Sequence, residues 1–305
     1  MNGTLNVPVE EKMRGDTIVV ATDLSENAEP AAKVGQQLAQ ALGLEVEVLH
    51  VLDLTRRFSK SKVELFADAE TRREAEQGVH QWFEDATGTP AKWVNLIIGG
   101  PADEEIRDRA SQDDVACLVI SMSGRGAWNK FIFGSTAIKL SGRPPCMTAV
   151  VHPEFHRIRQ GMSLAVGTDF SVTSDDALLE GSWLAKKFDS PLHLVYAHAL
   201  PSVTLIHEGD LPAGMRRTEI VEWAEESMER FVDKHRDELE GLDFDTRIVA
   251  DHPVAGLRDF VEDRGVDWMV LGHRRPEERG GAGTVKGKWV QQMNCSTLIV
   301  PRGSR

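Results

Sequence analysis

The residues of this chain best suited to chemistry are Gly124 and, after nine intervening residues, Gly134-Ser135-Thr136. Glycines let a main chain approach a phosphate closely, and hydroxyls beside the free N–H groups of a helix start add donors. Arg125 and Lys130 inside the loop supply positive charge, and Ser121-Met-Ser123 leads into it. Two further candidates, Ala21-Thr22-Asp23 and His50-Val51, each close an apolar run of strand length. The chemistry these residue types suit is holding a phosphorylated small molecule. No recognisable general base accompanies the loop, so turnover is not expected beyond, at most, slow phosphate hydrolysis. The loop matches neither G-x-x-x-x-G-K-[ST] nor G-x-G-x-x-G.

Each of these residues also has a plainer use. Asp23 precedes a helical pattern and suits a cap, Ser135 and Thr136 suit a helix start, and Gly124 suits a turn. His50 and His198 lack the spacing of metal ligands and read as structural histidines, so no metal site is expected. Cys117, Cys146 and Cys295 read as small buried residues without a redox role. The charged run from Glu219 to Glu240 reads as one amphipathic helix with a solvated face.

The elements that must position the candidates follow from an alternation of short β-branched runs with longer amphipathic segments, the pattern of βαβ units feeding a parallel sheet. In the first half strands are expected near Thr17–Ala21, Glu45–Val51, Trp93–Ile98, Cys117–Ile120 and Met147–Val151. Helices are expected near Asn27–Leu42, Lys62–Ala86, Ala102–Ser111 and Ser135–Leu140. The order then repeats. Thr17–Ser25 matches Ser163–Ser171, which sets Asp23 opposite Asp169; Pro101 stands opposite Pro253, and Cys146–Val151 opposite Cys295–Val300. The chain therefore divides into residues 1–153 and 154–305, each a doubly wound α/β domain of about five strands. The boundary lies in Pro153–Gly161, a charged stretch where few contacts need to cross.

With 41% hydrophobic and 27% charged residues, the composition is that of a folded globular protein. A net charge of -13 opposes nonspecific binding to nucleic acid or an anionic membrane. Met1–Asp16 has no signal-peptide pattern and no run is apolar enough to span a bilayer, so a reduced, cytoplasmic setting is expected.

Asp23 after the first strand, His50-Val51 after the second, and Gly124, nine residues, Gly134-Ser135 after the fourth together resemble the universal stress protein family. The resemblance covers the whole chain twice and points to the tandem form. It implies a Rossmann-like fold, similar to the adenine nucleotide alpha-hydrolases, and ATP as ligand, with or without Mg²⁺. It places Asp23 and Val51 at the adenosine and Gly124, Arg125, Gly134, Ser135 and Thr136 around the phosphates, with Ala21, Thr22 and Ser121 also at the nucleotide. It also implies a pseudo-dimer formed within the chain through the last strands, compatible with a further homodimer, and output through protein partners. The family pattern has glycine where this chain has Ser121. In the second copy the loop from Gly272 to Gly283-Thr284 is two residues shorter, with Arg275, Glu277 and Glu278 in it, so that copy is expected to have lost the nucleotide. The alternative reading is a module of the same fold that binds no nucleotide and acts through protein partners.

Overall fold

The computed structural model describes residues 15–53, 69–123, 134–154, 158–197, 217–249, 253–273, 292 and 294–303, with backbone alone at 217–219 and 253. The first half runs β1 (Thr17–Thr22), α1 (Glu29–Leu42), β2 (Glu45–Asp53), α2 (Ala69–Thr87), β3 (Trp93–Gly99), α3 (Ala102–Ala110), β4 (Val115–Ser121), α4 (Ser135–Gly142) and β5 (Met147–Val151). The second half runs β6 (Leu164–Thr168), α5 (Val172–Lys187), β7 (Leu192–Ala197), α6 (Arg217–Lys234), α7 (Arg236–Leu239), β8 (Phe244–Val249), α8 (Pro253–Arg264), β9 (Trp268–His273) and β10 (Ser296–Pro301). The first-half elements lie where the sequence pattern sets them, shifted only at their ends. Residues 62–68 of the expected second helix lie outside the described residues.

The ten strands among the described residues form one sheet, in the order β3-β2-β1-β4-β5-β10-β9-β6-β7-β8. Neighbours run parallel except at the centre, where β5 and β10 pair antiparallel through Thr148↔Ile299, Ala149↔Leu298 and Val150↔Thr297. The five-stranded halves thus join edge to edge, and this pairing covers an edge that each half would otherwise expose.

Strands covered on both faces must be apolar on both, and β1 shows this. Ile18 and Val20 face one core with α1, α2, α5 and α6; Val19 and Ala21 face the other with α3, α4 and α8. Both cores draw residues from both halves. Full burial of each Val or Leu contributes about 1.5–3 kcal/mol. The repeat extends to packing: a Cβ on Gly35 of α1 would meet Val20 Cγ2 at 2.3 Å, and one on Gly181 of α5 would meet Val166 Cγ2 at 2.4 Å. Glycine at these two places lets each helix lie close on its strand.

Buried polar groups tie the far side of the first half. Glu47 of β2 and Arg109 of α3 form a nearly buried two-pronged pair, with Nε to Oε1 at 2.9 Å and Nη2 to Oε2 at 2.5 Å. Arg109 also donates to Asp114 at 2.8 Å, and this guanidinium holds the Asp114 carboxyl below its ordinary pKa.

In the connecting segment, Ile158 N–H donates to Gln37 Oε1 of α1 at 2.6 Å, and Arg159 pairs with Asp267 within the second half at 2.9 Å. One expectation is corrected. The run Glu219–Glu240 is two helices, interrupted at His235 (φ -110°, ψ 30°). There the ring Nε2 lies 2.8 Å from Asp175 Oδ1 of α5, and the His235 N–H is shared between the Phe231 and Val232 carbonyls. This tertiary bond accompanies the break in the helical ladder.

Candidate functional site

In an open parallel sheet, a crevice opens where the chain reverses its direction of strand addition. Here that point lies between β1 and β4: the chain adds β2 and β3 on one side of β1, then returns to place β4 and β5 on the other. The register sets Thr22 beside His50 and Ala21 beside Ile120. The carboxyl ends of β1 and β4 are therefore level with His50, on strands roughly 4.8 Å apart, and β2 runs on to Asp53. Ala21, Thr22, Val51 and Ser121 share this end of the sheet, and Asp23 leaves it first.

Thr22-Asp23-Leu24-Ser25 is a braced turn. Leu24 N–H donates to Thr22 Oγ1 at 2.9 Å, and Ser25 donates to Asp23 Oδ1 from its N–H at 3.1 Å and from its hydroxyl at 2.6 Å. Leu24 takes φ of 63°, which costs a non-glycine residue about 1–2 kcal/mol. The second half builds the same turn: Phe170 has φ of 58°, its N–H donates to Thr168 Oγ1 at 2.9 Å, and Asp169 Oδ1 accepts from Ser171 and, at 2.7 Å, from Ser174 Oγ. His50 is buried and its Nδ1 lies 2.8 Å from the Thr22 carbonyl oxygen, which can only accept, so the proton sits on Nδ1. That bond gives His50 a structural role. Tyr196 stands opposite Thr168 in the second half and stacks on Phe170 with ring centroids 4.6 Å apart.

On the other side of the crevice, Ser121 is not among the positive-φ residues, so serine fits its backbone without strain. Its hydroxyl donates to the Asn27 carbonyl at 2.5 Å, beside the short 3-10 turn Glu26–Ala28 that precedes α1. At the matching Gly272, a Cβ would lie 1.8 Å from the Thr173 carbonyl oxygen. The two copies therefore differ in backbone at this point, and only the first has room for a side chain.

Gly134 N–H donates to the Met122 carbonyl at 2.9 Å, returning the loop to the end of β4. Gly134 is the N-cap of α4, with extended backbone and no side-chain cap. The N–H groups of Ser135, Thr136 and Ala137 precede the first intrahelical bond, from Ile138 to Gly134. They form the positive end of a helix beside the crevice. Gly124 and Arg125, together with Lys130, lie outside the described residues, as do Arg275, Glu277, Glu278 and Gly283-Thr284 of the second loop.

The sequence pattern did not single out Leu24 or the Asn27 carbonyl, and it gave Ser123 no role beyond leading into the loop. The Thr-Asp-x-Ser match in both copies was a signal for the turn. Ser123 is 2% exposed, and its hydroxyl has no hydrogen-bond partner among the described residues. A buried orphan hydroxyl costs about 1–3 kcal/mol, and here it stands at the entrance of the glycine loop.

The three cysteines are buried or nearly so. Burial pushes the Cys146 and Cys295 thiols up to about 12 and raises Cys117 as well, so thiolate is scarce at neutral pH. Among the described residues there is no group of three or more metal-ligating side chains, and no helix is long and apolar enough to cross a membrane.

Comparison with known proteins agrees with this architecture. The model of the universal stress protein family matches twice, over residues 15–152 and 162–301. A universal stress protein from Thermus aquaticus, encoded 3′ of a QAH/OAS sulfhydrylase, is 30% identical over 136 residues, covering 44% of this chain and 97% of its own. A universal stress protein structure from Archaeoglobus fulgidus superposes with a TM-score of 0.67 at 20% identity, covering 95% of this chain and 100% of that one. A Pseudomonas aeruginosa protein of unknown function superposes at 0.59 with 14% identity, covering 95% and 93%. With its family model matched once in each half, this chain belongs to the universal stress protein family and carries that family's domain in tandem.

Proposed function

We propose that the chain is an ATP-binding stress-response protein in which the first copy, residues 1–153, holds the nucleotide and the second, residues 154–305, does not. The observation that carries this reading is the register placing Thr22-Asp23, Val51, Ser121 and the start of α4 around one switch-point crevice. Ala21, Thr22, Asp23 and Val51 would border the adenosine. Gly124, Arg125, Gly134, Ser135 and Thr136 would surround the phosphates, with Mg²⁺ as their counter-ion. The residues present fit such a group: free helix N–H groups and the orphan Ser123 hydroxyl offer neutral donors. ATP supplies the charge that this helix end favours; its binding would shift conformation and the choice of protein partner, in the cytoplasm.

In the second copy the loop from Gly272 to Gly283-Thr284 is two residues shorter and brings Glu277 and Glu278 where phosphates would lie, which supports loss of the ligand there. The test is to denature freshly purified protein and identify the released nucleotide by chromatography. ATP or ADP near one per chain supports the reading. Its absence, with no uptake on later addition of ATP, favours a module acting through protein partners alone.

A further inference from the structure

The ten-stranded sheet ends differently at its two edges. At the β3 edge a side chain reaches the main chain: Arg72 of α2 donates to the Leu96 carbonyl at 3.1 Å. At the β8 edge the strand pairs with β7 alone. Among the described residues, nothing outside β7 hydrogen-bonds to the main chain of β8.

Beside that open edge lies a groove of about 530 Å³ between α6 and β8. Met228 and Val232 of α6, with Phe244 and Ile248 of β8, give it an apolar floor. Glu225 and Glu229 line it at i, i+4 spacing on one face of α6. Neither forms an ion pair among the described residues, whereas their neighbours Glu226 and Asp233 pair with Arg230 and Arg236.

We propose that this edge docks an extended basic segment of a partner protein, added as a further strand beside β8. Main-chain N–H and C=O groups of the segment would satisfy the free edge of β8. Its side chains facing α6 would alternate lysine or arginine, meeting Glu225 and Glu229, with aliphatic residues entering the apolar floor. Charge selects this occupant: a net charge of -13 repels acidic segments, and two carboxylates without ion partners over an apolar floor favour a cationic amphipathic strand. The edge makes no use of the nucleotide crevice, so the inference stands whether or not ATP binds.

The test uses the full chain and a fluorescent peptide of about eight residues, enough for one strand, with lysine and valine taking turns at every second position and threonine between them, so that both kinds face α6. Controls are the same peptide with glutamate for lysine, and versions N-methylated along one edge or the other. Binding is read by anisotropy at low and at physiological salt. The expected result is that the lysine peptide binds and weakens with salt, while the glutamate peptide does not bind. N-methylation along one edge, and the variant Glu225→Lys/Glu229→Lys, should each weaken it about tenfold or more. Both glutamates are exposed, so an unchanged unfolding midpoint of the variant shows that it folds. Equal binding to the variant, or to both N-methylated peptides, overturns the proposal. So does absence of lysine-peptide binding, including the case where a second copy of the chain occupies the edge and the variant abolishes that self-association.

Discussion

His50 Nδ1 donates to the Thr22 carbonyl oxygen across 2.8 Å, fastening the end of β2 to the residue that precedes Asp23. His50→Phe fills the space but leaves that buried carbonyl short of a donor. It should lower stability by about 1–2 kcal/mol, read as a lower urea midpoint, and weaken nucleotide binding by loosening the Asp23 turn. Unchanged affinity in the variant would show that the turn does not depend on this bond.

The Glu47–Arg109 pair joins α3 to β2 away from the crevice, and both side chains are only 11% exposed. Arg109→Met alone should cost about 3–5 kcal/mol, because it strands a buried carboxylate; Glu47→Leu with Arg109→Met together should cost much less. Urea unfolding of the two single variants and the double completes the cycle. Additive losses would mean that the pair is not coupled.

His152 sits at the seam, 4% exposed, its N–H donating to Ser296 Oγ at 3.0 Å and its Nδ1 accepting from Glu154 N–H at 3.2 Å. Burial holds its pKa below the ordinary 6.5, opposed by the nearby Glu154 charge. Below 6.5 the unfolded chain therefore binds a proton that the folded one resists, so stability is full above 6.5 and declines as pH falls. Comparing unfolding midpoints at pH 7.5 and 5.5, His152→Gln should lose less than the parent. An equal loss in both would assign the pH dependence to other groups.

How much of this was legible in the sequence depends on what sets each feature. The strands were readable because Ile18-Val-Val20 and its counterparts are buried on both faces and had to be apolar. The βαβ alternation implied a parallel doubly wound sheet and left open the order β3-β2-β1-β4-β5, which the structure supplies. The central pairing of β5 with β10 came only through the family resemblance, since neither strand announces its partner. The left-handed Leu24 and Phe170 were invisible, because leucine and phenylalanine have no preference for positive φ; the Thr and Asp before them stabilise it. Ser121 looked like a defect in the glycine pattern. Only the path of the chain at Asn27 shows that its side chain has a place.

That difference between copies has a direct consequence. Gly272→Ala should cost about 3 kcal/mol or more, since the new Cβ would overlap the Thr173 carbonyl. Ser121→Gly should cost about 1 kcal/mol, from one lost hydrogen bond and added chain entropy. Thermal unfolding of both variants checks the ranking, and similar losses would contradict the difference in backbone.

Binding of ATP by the first copy alone, against the start of α4, is tested at Gly134. Gly134 has φ of -70°, which any residue adopts, and aspartate is a favourable N-cap, so Gly134→Asp should leave the fold intact while repelling phosphates. The decisive measurement is an equilibrium titration of nucleotide-free protein with ATP, beside the Gly134→Asp variant. One ATP per chain is expected, lost in the variant with its unfolding midpoint preserved. No binding at millimolar ATP, or binding that survives the substitution, would contradict it.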